Sequence, residues 1–224
     1  MTDESLAEHL RSRVRERQAC APPARPLVGE RTALVVVDLQ NFFVAPGMPM
    51  TVPAAEAILP RVNRLATAVR AAGGVIAWVQ MTADPDGPRW QSFYAMRPVS
   101  LEATLTEMLR PGHPAHALHP DLRTEPGDLF VQKSRFSAFL QGSSDLDGLL
   151  RGRGVDTVVV VGTLSNVCCE STARDAMMLD YRVLLVSDAN AALDDVLAST
   201  TLVNIVTAFG EVPSTEQVLA LLAP

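Results

Sequence analysis

Short unbroken apolar runs alternate along this chain with stretches whose apolar residues recur every three or four positions. The runs TALVVVD (32–38), VIAWVQM (75–81), DLFVQK (128–133), DTVVVVG (156–162) and YRVLLVSDA (181–189) predict five strands. They are apolar nearly throughout, the pattern of strands covered on both faces and therefore of a parallel sheet. Helical spacing predicts helices over 1–18, 54–72, 143–154, 166–180, 193–208 and 215–224. The second of these stops at Gly73-Gly74, and the third has Ser143 or Ser144 available as N-cap. GEVPS (210–214) suggests a short edge strand, and the prolines of APPARPLVGER (21–31) interrupt regular structure after the first helix. This alternation predicts the α/β class: three layers, α/β/α, around a mostly parallel central sheet. Segment 82–127 departs from the rhythm and is expected to form surface loops around a pocket. The chain then divides into an N-terminal extension, 1–28, and one domain, 29–224.

Ligand sites in open α/β sheets form beyond the carboxyl ends of the strands. Four runs place polar residues there: Asp38, Lys133, the turn Gly162-Thr163-Leu164-Ser165 leading to Cys168, and Asp188. A carboxylate, an amine and a thiol at neighbouring strand ends form a nucleophile with a base and an electrostatic partner. Cys168 sits at a helix start, where free N–H groups and the positive end of the dipole lower a thiol's pKa. Its neighbour Cys169 points about 100° away and is expected to pack in the core. In this arrangement Asp38 is the base, and Lys133 keeps it ionised, favours the thiolate and steadies a substrate oxygen. Asp188 is expected to order the turn after its strand. Trp78, Trp90, Phe136 and Phe139 are expected in the core or the pocket wall. Phe43, Trp78, Gln80 and Phe139 are candidate pocket residues from their positions beside the triad. Arg89 and Arg135 are candidates for holding a substrate carboxylate, with ordinary surface charge as the alternative.

Composition narrows the field. Of 224 residues 48% are hydrophobic and 20% charged, with a net charge of -6, so no basic surface for nucleic acid is expected. No apolar run nears the ~20 residues of a membrane span, and the polar N-terminus lacks a secretory h-region. The three cysteines are not spaced as a disulfide or zinc framework, and a cytoplasmic location is the simplest expectation. His113, His116 and His119 in PGHPAHALHP do not have the spacing of a zinc motif, so no metal is assigned to them.

The stretches ALVVVDLQNFF, GDLFVQKSRFSAF and VVVVGTLSNVCCESTARDAMMLDYRVLLVSDA, in that order and each at a strand end, resemble the isochorismatase-like, nicotinamidase-related cysteine hydrolases from about residue 32 onward. The resemblance implies a catalytic triad of Asp38, Lys133 and Cys168. It also implies a non-proline cis peptide at Thr163–Leu164, with the Leu164 and Cys168 N–H groups forming an oxyanion hole. Ser165 stands where the family usually has Thr and keeps the hydroxyl; Cys169 stands where Val is common. Retention of Cys168 favours the amide-hydrolysing branch over the vinyl-ether-cleaving isochorismatases. The stretch WVQMTADPDGPRW lacks the histidine pair of the nicotinamidase metal site, so no metal and no cofactor are implied. The signatures are closest to the ureidoacrylate, biuret and N-carbamoylsarcosine amidohydrolases. The implied partners are a small amide or ureido substrate, water and further copies of the chain as a dimer or tetramer, with neither nucleic acid nor membrane. A nicotinamide-like or lactam substrate, and a non-enzymatic thiol sensor, are the alternatives that the same residues leave open.

Overall fold

The computed structural model describes residues 2–21, 24–83 and 90–223. Its elements are helix α1 (Asp3–Ala19), strand β1 (Thr32–Val37), helices α2 (Asn41–Val44) and α3 (Ala55–Ala71), strand β2 (Val75–Met81), helices α4 (Gln91–Ala95) and α5 (Val99–Met108), strand β3 (Leu129–Lys133), helix α6 (Leu146–Arg151), strand β4 (Thr157–Thr163), helix α7 (Glu170–Met178), strand β5 (Arg182–Ala191), and helices α8 (Asp195–Asn204) and α9 (Thr215–Leu222). The five strands pair in the order β3-β2-β1-β4-β5, every pair parallel.

Both faces of the sheet are covered, and successive residues of β1 divide between them as the two-residue period requires. Ala33, Val35 and Val37 join a core with Leu146, Leu150, Ala173 and Ile205. Leu34 and Val36 join a second core with Val62, Leu65 and Val218. All six residues of β1 and all seven of β4 are buried, which explains their unbroken apolar spelling. In α3, Ile58, Leu59, Val62, Leu65, Ala66 and Val69 form the buried stripe, and Gly73 closes it with φ 80.

The GEVPS segment lies beside β5 as a single parallel bridge, Leu184 with Glu211. Helix α1 packs on α8: Ala7 and Val14 are buried, and Gln18 Nε2 donates to the Val212 carbonyl at 2.6 Å. The third predicted helix is shorter than expected, and Ser144 Oγ accepts from the Leu146 amide at 3.2 Å.

Segment 82–127 corrects an expectation, because α4 and α5 lie within it. Helix α5 turns Leu101, Leu105 and Met108 inward, a stripe of only three residues, and leaves Val99 82% exposed. With Phe42, Phe43, Leu109 and Ala115, Leu105 forms a third apolar cluster that also takes in Met81 at the end of β2.

Candidate active site

The main chain changes direction at Asp38, directly after β1. Its amide still bonds the Val79 carbonyl at 2.9 Å, but its φ of 53° is left-handed, a conformation uncommon in non-glycine residues. The carboxylate thereby leaves the strand direction, and the residue is 1% exposed. Next to it Gly162 brings the end of β4 against β1. A Cβ there would lie 2.1 Å from the Val37 carbonyl oxygen, and φ is 127°. Only glycine satisfies both conditions.

Lys133, at the end of β3, is also buried, and its ammonium lies among three polar groups. Nζ is 2.8 Å from Asp38 Oδ2, donates to Cys168 Sγ at 3.3 Å and donates to the Arg135 carbonyl at 3.2 Å. The Met81 thioether lies 3.6 Å away. An ammonium has three protons, so the carboxylate, the thiol and the carbonyl together match its donor capacity. Burial works against the Lys133 charge, but Asp38 and Cys168 outweigh it and raise the lysine's pKa. Asp38 Oδ1 is buried without a hydrogen-bond partner among the protein groups, so its lone pairs are available to a proton from a neighbour.

Cys168 lies in a π-helical turn, Ser165–Cys169, that continues into α7. The peptide Thr163–Leu164 before it is cis, the bond named from the sequence. The Leu164 carbonyl accepts from the Val167 and Cys169 amides, both at 3.1 Å. The two cysteines face different surroundings: Cys168 retains 8% exposure and meets Lys133, while Cys169 is fully enclosed in the core. All three cysteines are free. The expected lowering of the Cys168 pKa is reversed. Burial pushes the thiol up, and the Asp38 carboxylate pushes it further than Lys133 pulls it down. Both effects favour the neutral form of the thiol beside the Asp38–Lys133 contact.

The candidate pocket residues separate in the structure. Trp78 is not in the cleft: it is fully buried in the core that contains α3, and its indole N–H donates to Asp128 Oδ2 at 2.7 Å. Phe139 is a core residue in the same cluster as Cys168, 5.1 Å from the Tyr181 ring. Phe43 belongs to the apolar cluster over the strand ends, edge-on to Phe42. Gln80 Nε2 donates to the His116 carbonyl at 2.8 Å. Arg135 donates to the Ser134 carbonyl, and its guanidinium lies 5.2 Å from the Trp90 ring centroid. Trp90, Phe93 and Phe136 pack ring to ring, and Phe93 carries this group into the cluster with Phe43 and Met81. Arg89 lies outside the described residues. Asp188 caps α9, with Oδ1 accepting from both the Thr215 amide (2.7 Å) and hydroxyl (2.8 Å).

The three loop histidines do separate jobs. His113 Nδ1 accepts from the Ala115 amide, His119 Nδ1 accepts from the Asp121 amide, and the His116 ring bonds Thr82 Oγ1. Among the described residues no group of three or more His, Cys, Asp or Glu is placed to hold a metal, and no helix is long and apolar enough to cross a membrane. The sequence puts Gly162 in the turn before Cys168, and the structure adds that β4 meets β1 there; Gln40 and Met81 carry no sequence signal beyond nearness to Asp38 and Lys133.

The isochorismatase domain family matches residues 32–217. The ureidoacrylate amidohydrolase RutB of Methylorubrum extorquens is 34% identical over 207 residues, which cover 84% of this chain and 83% of that protein. A crystal structure of a cysteine hydrolase from Pseudomonas syringae pv. phaseolicola superposes with a TM-score of 0.81 at 31% identity, covering 90% of this chain and 97% of that one. The N-carbamoylsarcosine amidase of Thermoplasma acidophilum superposes with a TM-score of 0.66 at 26% identity, covering 83% and 97%.

Proposed function

The chain belongs to the isochorismatase family, and from that premise we propose that it is a cysteine amidohydrolase cleaving a linear amide or ureido C–N bond of a small molecule. The observation that carries the reading is the position of one buried ammonium, Lys133 Nζ, against both the Asp38 carboxylate and the Cys168 thiol. A sensor thiol has no need of a buried ion pair beside it. The names of the relatives, an amidohydrolase of ureidoacrylate and an N-carbamoylsarcosine amidase, support a ureido or carbamoyl group as the reacting part.

In this reading Asp38 takes the proton of the neutral Cys168 thiol as sulfur attacks the substrate carbonyl carbon. Lys133 stabilises the sulfur anion as it forms, which offsets the burial and carboxylate repulsion that keep the thiol protonated at rest. The carbonyl oxygen gains charge and is received by the Leu164 and Cys168 backbone N–H groups. The tetrahedral intermediate collapses with loss of the amine or ammonia, which takes the proton held on Asp38. The acyl group is left on sulfur as a thioester, or as a thiocarbamate when the group is ureido. Asp38 then removes a proton from water, which attacks that carbonyl carbon. The carbon–sulfur bond breaks, and the proton returns to Cys168.

The test is ammonia release from a panel of ureido acids, N-carbamoyl amino acids, biuret, nicotinamide and lactams, with and without a chelator. Turnover of a ureido or carbamoyl compound by wild type, unaffected by the chelator and absent in Cys168→Ala, is expected. Turnover confined to nicotinamide or a lactam would reassign the substrate. Alkylation of Cys168 with no turnover anywhere on the panel would leave a thiol sensor.

A further inference from the structure

Between β1, which leads into Asp38, and β3, which ends at Lys133, lies β2, and its last residue is Met81. The backbone of β1 stops pairing with β2 at Val37 and Val79, apart from the Asp38 amide. Beyond that point a side chain takes over. Gln40 Oε1 accepts from the Met81 amide at 2.8 Å, and Gln40 Nε2 donates to the Met81 carbonyl at 3.0 Å. The carboxamide thus satisfies both polar groups of one residue, as a backbone peptide of a neighbouring strand would. Its second N–H reaches the His116 carbonyl at 2.9 Å, which also accepts Gln80 Nε2 at 2.8 Å. The His116 ring bonds Thr82 Oγ1 at 2.8 Å, and the Thr82 amide donates to the Lys133 carbonyl at 2.9 Å. Gln40 is fully buried and His116 is 5% exposed, so water does not compete for these bonds.

From this network we infer that Gln40 is a positioning residue for the Asp38–Lys133–Cys168 cluster, with His116 as its anchor on the 113–119 loop. The inference rests on the amidohydrolase reading for its kinetic consequence but not for its structural one. Gln40 lies two residues beyond Asp38, whose left-handed backbone keeps one bond to β2, from its amide to the Val79 carbonyl. Met81, pinned by Gln40, is the cross-strand partner of Lys133 and touches its ammonium through sulfur. Without the carboxamide the Asp38 turn loses both bonds to Met81 and keeps only the Asp38 amide on Val79. Lys133 keeps its ladder with β2, so the larger displacement falls on Asp38. The histidine-rich loop thereby has a purpose that needs no metal: it holds the strand ends on which the triad stands.

The test uses the full chain with Cys20→Ser to remove the exposed thiol. Iodoacetamide alkylation of Cys168, located by peptide mapping, is followed against pH in wild type, Gln40→Met and Thr82→Val, beside kcat and KM for a panel substrate. Asp38 raises the Cys168 pKa, so a displaced Asp38 in Gln40→Met moves the alkylation midpoint downward by half a pH unit or more. It also lowers kcat by about 10–100-fold with KM changed less than about 3-fold, the penalty of misplacing a reacting group. Thr82→Val, which removes the His116 link and a local bond from the hydroxyl to the Gln80 carbonyl but keeps the Thr82 amide on Lys133, moves the midpoint in the same direction by less, and it decides the matter if Gln40→Met does not fold. A folded Gln40→Met with its midpoint shifted by less than about half a pH unit and kcat within about twofold of wild type, or Thr82→Val unchanged when Gln40→Met fails to fold, overturns the inference, as does a loss confined to KM. Midpoint shifts in a protein that hydrolyses nothing on the panel would uphold the positioning role and sink the amidohydrolase reading instead.

Discussion

Lys133 Nζ stands 2.8 Å from Asp38 Oδ2 although the strands that carry them, β3 and β1, are not neighbours. Two strand spacings separate those main chains by about 10 Å. The contact exists because the lysine stem crosses the end of β2 and the Asp38 turn brings the carboxylate to meet it. Cys168, following β4 on the far side of β1, touches the same ammonium. The cluster thus joins residues from three strand ends across a fourth, and a one-residue slip in any of those strands would turn a member to the opposite face.

The two charged members act on the thiol with opposite sign, which yields a test independent of substrate. Asp38 raises the Cys168 pKa and Lys133 lowers it. Asp38→Asn should move the alkylation midpoint of Cys168 down, and Lys133→Met should move it up. Both should lose hydrolysis by more than about 10³-fold, since residues that act as a unit fail together. Alkylation rates against pH in a Cys20→Ser background measure the shifts; midpoints that move the same way would refute the assigned roles.

Adjacent cysteines should respond unequally to substitution. Cys168→Ala is expected to lower kcat by more than about 10³-fold. Cys169→Val, which adds a little volume to a closed core site, should keep activity within about 3-fold and cost less than ~1.5 kcal/mol. Steady-state kinetics with thermal melting separate these outcomes, and equal losses from both would remove the distinction drawn from their surroundings.

Burial gives His116 a pH signature. Desolvation first, and then the nearby His113, lower its pKa, so the folded protein prefers a neutral ring while the unfolded chain takes up protons near pH 6.5. Above that value His116 costs nothing by this route. As pH falls through it, the unfolded state binds more protons and stability declines, by at most about 1.4 kcal/mol for each pH unit. Urea unfolding of wild type and His116→Gln from pH 7.5 to 5 should show wild type losing ground against the variant in the acid half. The carboxylates titrate in both proteins, so the difference isolates the histidine; a pH-independent difference would count against a neutral buried ring.

Much of this was legible in the sequence because the physics was local. TALVVVD and DTVVVVG spell strands enclosed on both faces, and chain order with parallel pairing puts Asp38, Lys133 and Cys168 at one edge. What was not legible depended on contacts between distant segments. For Trp78 the sequence leaves core and pocket wall both open, and the two-residue period of β2 turns it into the core beside α3, where Asp128 receives its indole N–H. The thiol's pKa was inferred from a helix start, whereas burial and an approaching carboxylate set its direction. Helix α5 carries a stripe of only three residues, Leu101, Leu105 and Met108, between Pro98 and Pro111, too short to stand out in a proline-rich segment. Gln40 looked like any polar residue in a loop until Met81 and His116 were brought to it.

Gly162 is where the fold and the site are most tightly joined. It is the last residue but one of the buried strand β4, and the absence of a side chain lets Val37, the last residue of β1, approach to within a distance no Cβ tolerates. Asp38 follows Val37 directly, and the turn to Cys168 follows Gly162 directly, so the base and the thiol are brought together at this contact. An alanine there must push against backbone, which cannot rotate away as a side chain can, and must also adopt a φ of 127° that L-residues rarely reach. Overpacking alone costs about 1–3 kcal/mol, and the backbone strain adds about 1 kcal/mol or more. Gly162→Ala is therefore expected to lose at least ~2 kcal/mol, a fall in Tm of about 4–8 °C for a chain of this length. The displacement should also lower kcat by about 10-fold or more in the protein that remains folded, because it separates Asp38 from Cys168. Calorimetry with kinetics measured well below the melt would show both effects. A stable, fully active Gly162→Ala would mean that β1 and β4 do not need their close approach to assemble the cluster.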